Sequence, residues 1–200
     1  MSNEISEVAK PATRSQRART QALSVASSLF YKKGVRAVGM EEIVETSGIA
    51  KTTIYRHFPT KDALIEAFLE KEDVEFWQQW DEAVATATTP MAKLDALGDW
   101  IGSRVQRDAY RGCPQLNVAA EFADVGHPAR AIARRHKAEM VRQLEAICAE
   151  AGADPADRVA MQVALLLDGA FMNDGRLGAF DAADLIKAAI HRLVASDRII

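Results

Sequence analysis

Lys51, Thr52, Thr53, Tyr55, Arg56 and His57 fall within two helical turns, and Lys61 follows four residues after His57. Lysine and arginine donate to guanine O6 and N7, and threonine methyls pack against a thymine methyl. Cations and hydroxyls also hold phosphates, which fix register without reading sequence. For these groups to act together, they must leave a helix on one side while apolar residues anchor it on the other. Ile54 and Phe58 are four apart, a spacing that puts them on one helix face. A helix anchored behind, with cations, hydroxyls and an aromatic tip in front, suits a DNA major groove.

The elements that position this helix are read from the residues before it. Ile43 and Val44 give a short preceding helix an apolar side, leaving Glu41, Glu42 and Glu45 to water. Gly48 stands where the chain must turn sharply, since glycine takes positive φ without steric cost. Ile49 then plugs the small core. Upstream, Thr13 or Ser15 caps a helix that runs to Lys33 and stops at Gly34, with Leu23, Ala26, Leu29 and Phe30 on one face. Arg14, Arg17 and Arg19 cluster at its start, and two readings stay open for them: phosphate contacts, or a solvated face. Thr60 caps the helix after Phe58, Asp62 suits its dipole, and Lys61 sits beside free backbone N–H groups.

The overall net charge of −3 gives no hint of a nucleic-acid partner, but the charge is unevenly spread. Through Lys61 there are ten Lys and Arg against five Asp and Glu; the remainder holds 15 against 23. A basic third on an acidic body focuses positive potential where phosphates bind. With 48% hydrophobic and 26% charged residues, a sizeable core is expected rather than disorder. The opening MSNEISEVAK lacks an apolar signal region, and no run approaches the roughly 20 apolar residues of a bilayer span. Two cysteines, Cys113 and Cys148, fit a reducing cytoplasm better than a disulfide scaffold. The expected compartment is therefore the cytoplasm, with no membrane partner.

The rest of the chain reads as helix after helix. The linking helix from Lys61 runs past Trp77 and Trp80 and ends before Pro90. Further helices are expected from Met91 to about Asp108, Gln115 to Ala123, and Pro128 to Ala151. Asp154-Pro155 carries a cap-then-proline signature that opens VAMQVALLLDGAFM, and a last helix starts at Asp181. No segment alternates with period two. The expected class is all-α: a tail over residues 1–12, a three-helix DNA-binding domain over 13–60, and a larger helical domain over 61–200.

The span from about Arg17 to Leu69 resembles the DNA-binding domain of the TetR family of bacterial transcriptional regulators. The matching marks are Leu29-Phe30-x-x-x-Gly34, Ile43…Gly48-Ile49, and Thr53-Ile54-Tyr55-x-His57-Phe58 followed by Lys61. Ala50 departs from the pattern where a Ser often caps the recognition helix, as does Thr52 where Gly is frequent. The resemblance implies a homodimer placing two recognition helices on a palindromic double-stranded DNA operator, most commonly as a repressor released by a small-molecule effector. It assigns Tyr55, His57 and Lys61 to phosphates, and Lys51, Thr52, Thr53 and Arg56 to positions nearer base edges. It also implies a ligand-binding and dimerisation role for the larger domain, with dimer contacts through the last two helices, about residues 155–196. The helix holding Val163, Leu165, Leu166, Leu167, Ala170 and Phe171 is apolar nearly all round, as burial on more than one side requires.

Within the larger domain, Asn117, Glu121, His136 and Asp168 are the polar groups expected to meet inside. Trp77, Trp100, Tyr110, Phe122, Met140 and Phe171 are candidates for apolar pocket walls. Each of these side chains also fits an ordinary core. Asp168 in so apolar a helix must be paired or hydrogen-bonded. Glu121, His136 and Asp168 show no metal-ligand spacing, so no metal or other cofactor is expected. No nucleophile–base pair or phosphate loop appears, so no catalytic residue is assigned and an enzyme is disfavoured.

Overall fold

The structure, a computed structural model, describes residues 13–173 and 181–196. The expected tail over residues 1–12 lies outside these. Nine helices and no strand occur among the described residues, and the chain divides into two compact units between Leu64 and Ile65.

The first unit holds α1 (Arg14–Lys33), α2 (Met40–Ser47) and α3 (Lys51–His57). Thr13 Oγ1 accepts from the Gln16 N–H at 3.1 Å while the Thr13 N–H donates to Gln16 Oε1 at 2.7 Å. This reciprocal cap satisfies two donors at the start of α1 and contributes about 1 kcal/mol. Gly34 ends α1 with φ 87°, and Gly48 ends α2 with φ 65°, backbone that a β-branched residue resists. Gln21 Nε2 donates to Ser47 O at 2.8 Å, and so ties α1 to the turn after α2. Ala26, Phe30, Val35, Val38, Ile43, Ile54 and Phe58 are buried in this small unit. The three helices pack pairwise.

Helix α4 (Lys61–Val84) begins in the first unit and continues through the second. Thr60 Oγ1 accepts from the Ala63 N–H at 3.0 Å and starts it. The second unit adds α5 (Pro90–Val105), α6 (Pro114–Glu121), α7 (Pro128–Glu150), α8 (Ala156–Phe171) and α9 (Ala182–Ser196). Pro90, Pro114 and Pro128 all occupy first-turn positions, where the missing N–H costs nothing. Helix α5 ends three residues short of the expected Asp108. Pro155 stands in the cap position of α8 rather than just inside it, and makes no side-chain cap. Asp181 Oδ1 accepts from the Asp184 N–H at 3.1 Å at the start of α9.

The core of this unit runs from Phe76 and Trp80 on α4 through Leu94, Leu97 and Ile101 to Val163, Leu167 and Phe171 on α8. Helices α5 and α9 approach closely because Gly98 and Gly102 face α9. A Cβ on Gly102 would lie 2.6 Å from the Ala183 backbone nitrogen. No described helix is long and apolar enough to cross a membrane.

Candidate nucleic-acid interface and buried cavity

Helix α3 turns Ile54 and Phe58 into the first unit's core and leaves Lys51, Thr52 and Arg56 exposed. Thr53, Tyr55, His57 and Lys61 are half-buried. Ala50 provides no side-chain cap for α3, so its first N–H groups are left to other acceptors. Thr52, Arg56 and Lys61 make no side-chain hydrogen bond or ion pair among the described residues. Lys51 Nζ is instead held by Glu41 Oε1 at 3.0 Å and sits 5.9 Å from the Tyr55 ring centre. The hydrogen bond and charge of Glu41 raise the Lys51 pKa, and Lys51 lowers that of Glu41. The sequence reading did not pick out this exposed pair, although the two residues are ten apart across the turn.

Two contacts from α1 hold the end of α3. Ser15 Oγ lies 3.3 Å from His57 Nε2, and the Arg19 guanidinium sits 5.1 Å over the Phe58 ring. Arg19 is thereby engaged, while Arg14 and Arg17 remain exposed.

In the second unit, aromatic rings converge on Phe76. His136 meets it edge-on with centroids 4.6 Å apart, Trp100 at 5.2 Å, and Phe171 at 6.1 Å. Beside them is a small cavity of about 10 Å³, lined by Glu72 and Phe76 from α4, Arg104 from α5, Cys113 to Gln115 at the start of α6, His136 from α7, and Phe171 from α8. That is roughly the room for one water. Asp73 accepts from Trp77 Nε1 at 3.1 Å and lies 2.6 Å from His136 Nδ1, with the same oxygen, Oδ1. Burial pushes the His136 pKa down against the pull of Asp73, so the ring is neutral, Nδ1–H faces Asp73 and Nε2 is left as an acceptor. Burial also raises the Glu72 carboxyl. Cys113 is raised by burial, and Cys148 is pushed up to about 11, so both are thiols at neutral pH.

Of the candidate pocket residues, Trp100, His136 and Phe171 come together around Phe76. Met140 is wholly buried in the same core as Tyr110. Asn117 Nδ2 donates to Arg111 O at 2.6 Å, and Glu121 ends α6 half-buried. Phe122 stacks on His127 with centroids 3.7 Å apart. Asp168 is half-exposed and ion-paired with Lys137, one partner of the kind a carboxylate in an apolar helix requires. Glu72, Asp73, Arg104 and Gln115 were not foreseen, because they lie on α4, α5 and α6 and only the fold brings them together. No group of three or more His, Cys, Asp or Glu among the described residues is placed to hold a metal ion.

The sequence profile of the tetR family of bacterial regulatory proteins matches residues 22–68, the three-helix unit and the start of α4. Over 79 residues the chain is 30% identical to the HTH-type transcriptional repressor KstR2 of Rhodococcus jostii, covering 40% of this chain and 39% of that one. Over 91 residues it is 30% identical to the HTH-type transcriptional activator FasR of Mycolicibacterium smegmatis, covering 46% and 42%. The match thus spans about two fifths of the length of these relatives. Solved structures are similar over nearly the whole chain. SCO4454, a TetR-family transcriptional regulator from Streptomyces coelicolor, superposes with a TM-score of 0.83 at 24% identity over 90% of this chain and 95% of its own. The protein sav143 from Streptomyces avermitilis, assigned as a tetr-transcriptional regulator, gives 0.81 at 26% identity over 92% and 99%. The three-helix unit with its hinged pair matches the tetR family of bacterial regulatory proteins over residues 22–68, and the helical body that follows shares the fold of the two solved structures.

Proposed function

We propose that the chain is a DNA-binding transcriptional regulator, a homodimeric repressor released from a palindromic operator by a small-molecule effector. The observation that carries the DNA reading is α3, which buries Ile54 and Phe58 and leaves Lys51, Thr52 and Arg56 at the surface. Arg56 has the reach and the unused donors for a guanine edge. Lys61, at a helix start with no partner of its own among the described residues, suits a phosphate. His57, steadied by Ser15, and Tyr55, beside Lys51, fit phosphate positions next to it. Thr53 stands half-buried between the two groups.

The dimer reading rests on α8 and α9. Met161 and Leu165 on α8 and Leu185 on α9 are 58%, 71% and 58% exposed in the single chain. Apolar side chains this open, on helices otherwise turned inward, suit the face of a second copy. The effector reading rests on the aromatic cavity in the second unit. A guest that prefers one of two dimer conformations shifts the population toward it, and DNA affinity falls by the same coupling. A DNA partner of this kind would go with a cytoplasmic location.

A test combines light scattering with gel-shift titration on the DNA upstream of the chain's own gene. Leu165→Glu is expected to give monomers and to weaken DNA binding strongly, while the parent is dimeric. A parent that is monomeric at micromolar concentration contradicts the reading. A second reading, an activator, is favoured by the likeness to FasR. Reporter output with and without the gene separates the two: output that rises on deletion supports the repressor.

A further inference from the structure

The small cavity has a chemical bias toward one kind of guest, an inference that rests on the second unit being the effector-binding part. Gln115 is 3% exposed, and its Nε2 donates to Leu69 O at 2.9 Å. That bond fixes which way the amide faces, because a backbone carbonyl only accepts. Oε1 is left buried with no hydrogen-bond partner among the described residues, on a side chain that lines the cavity. An orphaned buried acceptor costs free energy until a donor reaches it. Glu72, also on the cavity, has one long ion pair, to Lys71 Nζ at 3.9 Å. His136 has spent its Nδ1 on Asp73. Past Arg104, whose guanidinium is turned to Gln79 and Trp100, the spare hydrogen-bonding capacity of Gln115, Glu72 and His136 belongs to acceptors, and a guest that reaches them must bring the donor.

The walls point to a ring. Phe76 meets His136 at 78° and Trp100 at 67°, so ring edges and faces alternate around the space, an arrangement that accepts another flat ring. The cavity is too small for one as it stands. Arg104 lines both this cavity and an open groove of about 560 Å³ between α4 and α5. It is held there by Gln79 Oε1, 2.6 Å from Nη1, with its guanidinium 5.9 Å over Trp100. Arg104 is thus shared by an outer groove of ligand size and the inner cavity.

We propose that the cavity opens at Arg104 to admit a flat aromatic molecule that donates hydrogen bonds from a ring-borne O–H or N–H to Gln115 and Glu72. Its carbon skeleton packs among Phe76, Trp100, His136 and Phe171. A carboxylate carried past Arg104 meets the acceptors of Glu72 and Gln115 and finds no donor in either.

Calorimetric titration of the full chain with 2-naphthol, 2-methoxynaphthalene and 2-naphthoate tests this. 2-Naphthol is expected to bind at least about tenfold tighter than either analogue, the scale of one buried acceptor satisfied or left open. Gln115→Met is expected to lose that margin while leaving 2-methoxynaphthalene unchanged. Because Gln115 also holds Leu69 O, Glu72→Leu serves as the second variant, with the same selective loss expected. Arg104→Ala is expected to speed 2-naphthol association several-fold. Equal binding of 2-naphthol and its methyl ether, or no binding by any of the three, overturns the proposal, as does tightest binding by 2-naphthoate. Gel shifts on the same samples separate this from the regulator reading. DNA binding that survives without 2-naphthol binding overturns the cavity proposal alone. 2-Naphthol that binds without altering DNA affinity leaves the cavity proposal standing and overturns the effector role.

Discussion

Around Ile54 the polar side chains leave the core and face solvent, while around Phe76 they turn inward and meet one another. In the first unit, Lys51, Thr52 and Arg56 sit on one short helix, so a single anchored element presents them all. In the second, Glu72, Arg104, Gln115 and His136 come from four helices, and their geometry exists only when α4, α5, α6 and α7 are packed. The outward arrangement costs little desolvation and suits a large charged partner. The inward one imposes desolvation on every group: burial raises Glu72, lowers His136 and leaves Gln115 Oε1 unmet. The proposed DNA surface and the proposed guest cavity thus differ in where the unsatisfied chemistry is stored.

This contrast can be broken at its anchors. Ile54→Ala removes a wholly buried side chain from the smaller core and is expected to cost about 2–5 kcal/mol, measured by urea unfolding. DNA binding should fall with it, whereas calorimetric 2-naphthol binding by the second unit should persist at temperatures below the melt. Loss of both together would show that the two units do not behave separately. Asp73→Ala comes next. It strands both Trp77 Nε1–H and His136 Nδ1–H in a buried setting, at about 1–3 kcal/mol for each group left unpaired, and should loosen the cavity without changing the DNA salt dependence. Unchanged unfolding midpoints would remove Asp73 from the account.

Helix α3 was legible in the sequence, and the cavity only partly so. Ile54 and Phe58 announce their face by spacing, Gly48 announces the turn, and every exposed donor on α3 follows from local periodicity. His136 and Asp73 are 63 residues apart, and Gln115 and Leu69 are 46 apart. No local pattern relates such pairs. Aromatic type was enough to nominate Trp100 and Phe171, because large rings are buried for their area alone. Polar type was not, since Glu72 and Gln115 look like any solvated helix residue until neighbouring helices cover them. Phe122 fails in the opposite sense: its ring looks like a pocket wall but stacks on His127. The Glu41–Lys51 pair escaped notice because charges on separate helices meet only after the turn at Gly48 is closed.

Smaller effects sharpen the same comparison. Lys61→Ala should weaken binding to all DNA sequences alike and reduce the dependence of log K on log salt by about one unit. An unchanged slope in anisotropy titrations would take Lys61 off the phosphate. Glu72→Gln gives the subtlest readout. Its folded-state pKa is raised above the unfolded value of about 4.3. The folded chain therefore holds a proton that the unfolded chain has lost, and stability declines as pH rises from that value through the raised one. Glu72→Gln should melt a few degrees above the parent at pH 8, with the gap closing toward pH 4. His136 acts in the opposite direction: with its folded pKa lowered, it takes stability away as pH falls below about 6.5. A Glu72→Gln gap that widens toward pH 4 would contradict the assigned sign.

The central claim is that α3 reads DNA as one of a symmetric pair. Selection of double-stranded DNA from a randomised pool by the full chain, followed by sequencing, tests it directly. The account predicts an enriched inverted repeat whose half-site centres lie about one helical turn, or a whole number of turns, apart. It predicts further that Arg56→Ala relaxes particular symmetric positions within that repeat. A pool that shows no enrichment, or one enriched in an unpaired half-site, would contradict it.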